Sequence, residues 1–94
     1  MSNPKIDTRG TKRWFNSTRQ LHREDGPAIE WSHGTKSWWI NGQSHRLNGP
    51  AWQYADGTCS YFINGQQLTK DEWKSNPLRI EYVIKENIKL ILND

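Results

Sequence analysis

Ninety-four residues with a net charge of +3 make one small domain, with no room for a cofactor lobe beside a substrate lobe. Leu, Ile, Val and Phe supply only 17 residues, a composition that verges on disorder, but six Trp and three Tyr restore the missing apolar area. So small a charge does not hold a chain open, and a folded, polar, Trp-rich domain is expected.

Residues 1–9 read as an N-terminal tail, with nothing apolar enough for an export signal. The longest apolar runs, Tyr82-Val83-Ile84 and Leu90-Ile91-Leu92, fall far short of the roughly 20 residues of a membrane span. Cys59 stands alone, so no internal disulfide is expected, and the setting reads as reducing and cytoplasmic. The whole charge excess lies in residues 1–68, because residues 69–94 carry five Lys/Arg and five Asp/Glu. No basic run is long enough for a polyanion-binding tail.

From Gly10 onward the chain repeats itself. Gly10-Thr11-Lys12-Arg13-Trp14-Phe15 returns as Gly34-Thr35-Lys36-Ser37-Trp38-Trp39 and, degraded, as Gly57-Thr58-Cys59-Ser60-Tyr61-Phe62. His22-Arg23-Glu24-Asp25-Gly26-Pro27-Ala28 returns 23 residues later as His45-Arg46-Leu47-Asn48-Gly49-Pro50-Ala51. Ile40-Asn41-Gly42-Gln43 returns at the same interval as Ile63-Asn64-Gly65-Gln66. The units cover residues 10–33, 34–56 and 57–68, and the extra residue of the first falls within 16–20. A period this short belongs to stacked supersecondary units.

Each unit reads as a β-hairpin. Ser37-Trp38-Trp39-Ile40 is aromatic and β-branched and stops at Asn41-Gly42, which suits a tight turn. Ala51-Trp52-Gln53-Tyr54-Ala55 alternates and stops at Asp56-Gly57; Ala28-Ile29-Glu30-Trp31 does the same before Gly34. Pro27 and Pro50 open their strands without losing a ladder bond, and Gly26 and Gly49 before them offer backbone angles closed to other residues. Strands are expected near 12–16, 28–32, 36–41, 51–55 and 58–64, antiparallel because the connections are short. The fold class is mainly β: an antiparallel meander of repeated hairpins in a single sheet, with a short C-terminal helical cap.

Residues 69–94 form that cap, part of the same domain. Thr69-Lys70-Asp71-Glu72 fits a capping box, and Pro77 suits the first turn of a second helix. Ile80, Val83, Ile84, Ile88 and Ile91 share one face at helical spacing, with Glu81 and Lys85 as an i,i+4 pair. Leu78, Ile80, Tyr82 and Ile84 also alternate as a strand would, so both readings stay open and the helix is preferred. Adjacent strand residues point to opposite faces, so Trp14/Phe15, Trp38/Trp39 and Tyr61/Phe62 put rings on both sides of the sheet. At least one side needs a cover, and the apolar face of the tail is expected to cap the open end or one side of the sheet.

The unit resembles one found in short tailed-phage proteins, carried here by Gly34, Trp38, Trp39, Asn41, Gly42, His45, Arg46, Gly49, Pro50 and Ala51. More distantly it resembles MORN-type hairpin repeats, whose Gly-aromatic units align into a long single-layer sheet. The resemblance covers residues 10–68 and implies a binding surface of viral origin. The third unit has Gln67-Leu68-Thr69 where His-Arg would begin, as a terminal repeat does.

His22-Arg23 and His45-Arg46 are the residues that invite chemistry, since His can act as base or ligand and Arg can grip an anion. Their recurrence with the unit favours a structural role, bonding loop carbonyls or stacking on rings. Two imidazoles without Cys or paired carboxylates make no zinc site, so no metal and no cofactor is expected. His33, in a turn, reads as solvated. Cys59 has no base beside it and reads as buried or inert. No catalytic constellation is visible, and the chain is not expected to be an enzyme.

A protein-binding surface is the leading expectation, because Trp and Arg dominate interface hot spots. The candidate residues are the ladder Trp38, Trp39, Trp52, Tyr54, Tyr61 and Phe62, with Arg23 and Arg46 at its rim. The phage resemblance implies a host protein or a bacterial immunity factor as partner, inhibited or sensed, in the cytoplasm of an infected cell. The alternative partner is nucleic acid, with Trp14, Trp38 and Tyr61 as a stacking platform and Lys12, Arg13, Lys36, Arg23 and Arg46 for phosphates. Self-association through an exposed edge strand, such as 12–16, is a further option.

Overall fold

The computed structural model describes residues 3–92; residues 1–2 of the expected tail and 93–94 of the expected cap lie outside it. Within it the chain forms an antiparallel sheet of hairpins followed by two helices. The strands are β1 (Lys5–Ile6), β2 (Lys12–Arg13), β3 (Ile29–Glu30), β4 (Lys36–Ser37), β5 (Trp39–Ile40), β6 (Gln43–Ser44), β7 (Trp52–Gln53), β8 (Cys59–Ile63) and β9 (Gln66–Leu68). The helices are α1 (Lys70–Ser75) and α2 (Pro77–Leu92). Seven strands make one sheet in the order β1-β2-β3-β4-β7-β8-β9, and β5-β6 form a separate hairpin.

The split into short strands follows from the repeat. After β4 the chain leaves the main sheet, turns at Asn41-Gly42 between β5 and β6, and rejoins the sheet at β7. Asn41 and Gly42 have φ of 48° and 81°, and Asn64 and Gly65 have 50° and 81°, the positive angles a two-residue hairpin turn needs. In the first unit the extra residue lengthens this turn, and Arg19 takes the positive φ, at 66°. Successive hairpins are tied side by side: the Gly42 N–H donates to the Leu21 carbonyl at 2.8 Å, and the Gly65 N–H to the Ser44 carbonyl at 2.9 Å.

Within the expected tail, Lys5–Ile6 is a strand. Lys5–Ile6 pairs with Arg13 and Lys12, so β2 is an inner strand and not the exposed edge expected near 12–16. Among the described residues the edges of the main sheet are β1 and β9. The Asp7–Thr11 turn uses the same bonds as the later units, with Asp7 N–H donating to Thr11 as Trp31 does to Thr35 and Tyr54 to Thr58.

The core is small in every sense. Ala28, Ala51 and Ser37 have no exposed surface, Ile29, Ile63 and Trp73 are nearly closed off, and among the described residues no larger side chain is fully buried. Small residues under the rings let the indoles lie close: Trp39 Nε1–H donates to Ser37 Oγ at 2.7 Å and Trp52 Nε1–H to Ser44 Oγ at 2.9 Å.

The tail is helical, as preferred, but covers the sheet differently. Thr69 and Glu72 close the capping box reciprocally, at 2.8 and 3.1 Å, and Pro77 opens α2. Trp73 of α1 is buried against Tyr61, 4.9 Å between ring centroids, and closes the end of the sheet. By contrast α2 buries no residue. The positions it turns inward are Arg79, Tyr82, Val83 and Glu86, each half-buried, while Ile80, Ile84, Ile88 and Ile91 face outward at 42–73 % exposure. Its apolar stripe lies about two fifths of a turn from its packed side, so that stripe does not cover the sheet. The radius of gyration, 14.5 Å, exceeds the roughly 12 Å of a compact chain this long because α2 projects from a single-layer sheet.

Candidate functional site

The His-Arg-x-x-Gly-Pro-Ala segment builds the same object twice. In the first unit the Arg23 guanidinium lies over the Trp14 ring at 3.9 Å, and its Nη1 donates to the Pro27 carbonyl at 3.1 Å. In the second, Arg46 lies over Trp38 at 3.8 Å and donates to the Pro50 carbonyl at 3.0 Å. A cation over an indole face is held by the ring quadrupole. The glycine of the motif is there for space. Neither Gly26 nor Gly49 has a positive φ, and a Cβ at either would sit 2.9 Å from the Arg Cζ.

The histidines brace the neighbouring unit. The Asn41 backbone N–H donates to His22 Nδ1 and the Asn64 N–H to His45 Nδ1, both at 2.9 Å. Each imidazole therefore accepts at Nδ1, and the Arg after it donates its backbone N–H to the next unit, at Trp39 and Phe62. Burial lowers the His45 pKa and keeps the ring in the neutral form that this bond needs. His33 is not simply solvated: its Nε2 bonds Thr35 Oγ1 at 2.9 Å and its ring stacks on Trp31.

The two clamps differ in charge. Arg23 is paired with Asp25 at 3.0 Å and with Glu30 at 3.1 Å. Arg46 meets Asn48 Oδ1 at 3.0 Å where Arg23 meets Asp25, and Gln53 stands where Glu30 does. Leu47 likewise replaces Glu24. Among the described residues no carboxylate pairs with Arg46. Burial presses its pKa below the ordinary guanidinium value, and nearby Tyr82 acts in the opposite sense.

Between the two loops lies an open groove of about 650 Å³. It is lined by Arg23, Glu24 and Asp25 of the first loop, by Arg46 and Leu47 of the second, by Trp38, and by Tyr82 of α2. Sequence reasoning singled out Arg23, Arg46 and Trp38 but not Leu47 or Tyr82. Leu47 was findable as the one apolar residue where the first unit has an acid; Tyr82 carries no motif.

The expected six-ring ladder is not one surface. Register places Ser37, Trp52 and Ser60 on one face, with Trp39 and Phe62 beside them by alternation, and Tyr61 and Trp38 on the other. On the first face Trp52 stacks with Trp31 at 5.4 Å and Tyr54 at 5.8 Å, and meets Trp39 edge-on at 6.2 Å. Tyr61 sits under Trp73, whose Nε1–H donates to the Arg46 carbonyl at 2.9 Å and whose ring carries Arg79 at 4.6 Å. Arg79 and Trp73 thus supply a third clamp without the repeat motif.

Cys59 is exposed at the start of β8, not buried, with Sγ 3.9 Å from Tyr61 Oη. Among the described residues no three His, Cys, Asp or Glu side chains gather as metal ligands, and no helix is long and apolar enough to cross a membrane. In comparison with known proteins, no family model, no curated protein and no solved structure matches the chain.

Proposed function

We propose that this chain is a non-enzymatic protein-binding module. The observation that carries the reading is α2, a 16-residue helix with no buried residue, whose Ile80, Ile84, Ile88 and Ile91 form an apolar stripe turned away from its own sheet. Such a stripe is the usual currency of helix recognition, in which residues at i, i+4 and i+7 spacing anchor in a partner's groove. The clamps and ring stacks supply a rigid platform beneath it, and their residues are held by one another. The resemblance of the repeat to phage proteins extends the proposal to a bacterial host or defence protein as the partner.

The rival reading, a face for nucleic acid, asks Trp14, Trp38 and Tyr61 for open ring faces. Trp14 and Trp38 already carry a guanidinium within 4 Å and Tyr61 lies under Trp73, so the binding groups serve the repeat itself. That reading requires oligonucleotide affinity that falls steeply with salt.

The test is capture of partners from a bacterial lysate by the intact chain and by Ile84→Lys/Ile88→Lys. These exposed positions lie off the packed side, so stability should change by no more than about 0.5 kcal/mol per site. Loss of a stoichiometric partner from the folded variant supports the proposal. Undiminished capture by that variant removes α2 from it, and sedimentation of the intact chain separates a foreign partner from a second copy.

A further inference from the structure

The second clamp keeps the cation of the first and has exchanged every acid around it. Glu24, Asp25 and Glu30 become Leu47, Asn48 and Gln53 on the same scaffold. The first unit therefore displays, within the molecule, how this cradle receives carboxylates: one oxygen at Arg23 Nε, 3.0 Å away, and one at Nη1, 3.1 Å away. In the second unit only neutral oxygens, from Asn48 and Pro50, meet Nε and Nη1. A half-buried guanidinium whose direct hydrogen-bond partners are all neutral, lining an open groove, is incompletely compensated, and charge-assisted bonds are the ones that such a cation forms most strongly.

We propose that this groove receives the carboxylate of an acidic side chain from a protein partner, with Arg46 as its cation and with Leu47 and Tyr82 against the apolar residue beside the acid. The inference rests on the protein-binding reading and adds the partner's chemistry to it. Glu24, 83 % exposed, and Asp25, already paired with Arg23, also line the groove, and they disfavour a second acid. The recognised feature is thus a single Asp or Glu in an apolar setting, not an acidic run.

The test uses the intact ¹⁵N-labelled chain and two capped peptides, Ac-Leu-Glu-Leu-NH2 and Ac-Leu-Gln-Leu-NH2, with inorganic phosphate as a third titrant. The Glu peptide should shift the Arg46 Nε–H and Trp38 indole resonances saturably, with Kd on the order of 1 mM, and the Gln peptide about tenfold more weakly. Arg23 should not respond, since its carboxylates are in place. Asn48→Asp/Gln53→Glu, which gives the second unit the acids of the first, should fold and lose the response; Asn48→Asp alone, at an exposed position, should weaken it. Equal shifts from both peptides, an equal response at Arg23, binding that survives the double substitution, tighter binding of phosphate, or no response would each overturn the proposal. If the double substitution leaves partner capture intact while Ile84→Lys/Ile88→Lys abolishes it, the groove reading falls and the module reading stands.

Discussion

The first and second units share one clamp and differ in what surrounds its cation. Residues 10–33 hold Arg23 between a ring, a carbonyl and two carboxylates; residues 34–56 hold Arg46 between the ring, the carbonyl and the neutral amide oxygen of Asn48. The lesson is that the ring and the glycine make the clamp, because they are common to both, while the acids decide whether the cation is satisfied internally. A repeat protein can thus assign one copy of a motif to structure and another to recognition without altering the backbone.

The largest effects should come from the platforms. Trp14→Ala and Trp38→Ala should each cost about 3 kcal/mol in urea unfolding, as large aromatic truncations do, with Trp38→Ala no smaller because Arg46 has no carboxylate to hold it. A loss under about 1 kcal/mol at either site would break the common-clamp account. Next come the cations. Arg23→Ala should cost about 2–3 kcal/mol, because it removes the stack and strands Asp25 and Glu30, whereas Arg46→Ala should cost about 1 kcal/mol. The reverse order would break the comparison.

Gly26→Ala and Gly49→Ala should each cost about 1 kcal/mol and match one another, since the added Cβ meets the same Arg carbon at the same distance. Unequal values would mean that the guanidinium moves aside more readily in one unit. Asp25→Asn should destabilise by about 0.5 kcal/mol and Asn48→Asp should stabilise by about as much, both fading at 1 M salt. The smallest difference is one of pH. With its folded pKa lowered, His45 contributes stability that is complete above its unfolded value near 6.5 and is lost as the pH falls below it. His45→Asn, which keeps an acceptor for the Asn64 N–H, should flatten that part of the stability profile between pH 7.5 and 5.

Much of this was legible in the sequence because the determinants are local. Asn41-Gly42 and Asn64-Gly65 turn as their angles demand, and Thr69 and Glu72 cap α1 as their spacing demands. What could not be read depends on side chains meeting across the chain. Gly26 and Gly49 looked like backbone requirements and are space requirements, visible only once Arg23 and Arg46 fold back over them. Strand β1 escaped because Asp7-Thr8-Arg9-Gly10 shares with Trp31-Ser32-His33-Gly34 little beyond the glycine and a hydrogen-bond pattern. The isoleucines of α2 mark a helix correctly, but periodicity says which residues share a face, not where that face points. The packing of Trp73 on Tyr61 and of Arg79 on Trp73 decides this instead, fixing α1 at the end of the sheet and leaving Tyr82 and Val83 on the packed side of α2.

A double-mutant cycle on Trp38 and Arg46, using Trp38→Leu and Arg46→Met in urea unfolding, tests the clamp most directly. A coupling of about 1 kcal/mol is expected for a cation held against an indole face, with a similar value for Trp14 and Arg23. Additive losses, with no coupling in either unit, would contradict the claim that the ring and the guanidinium form one object.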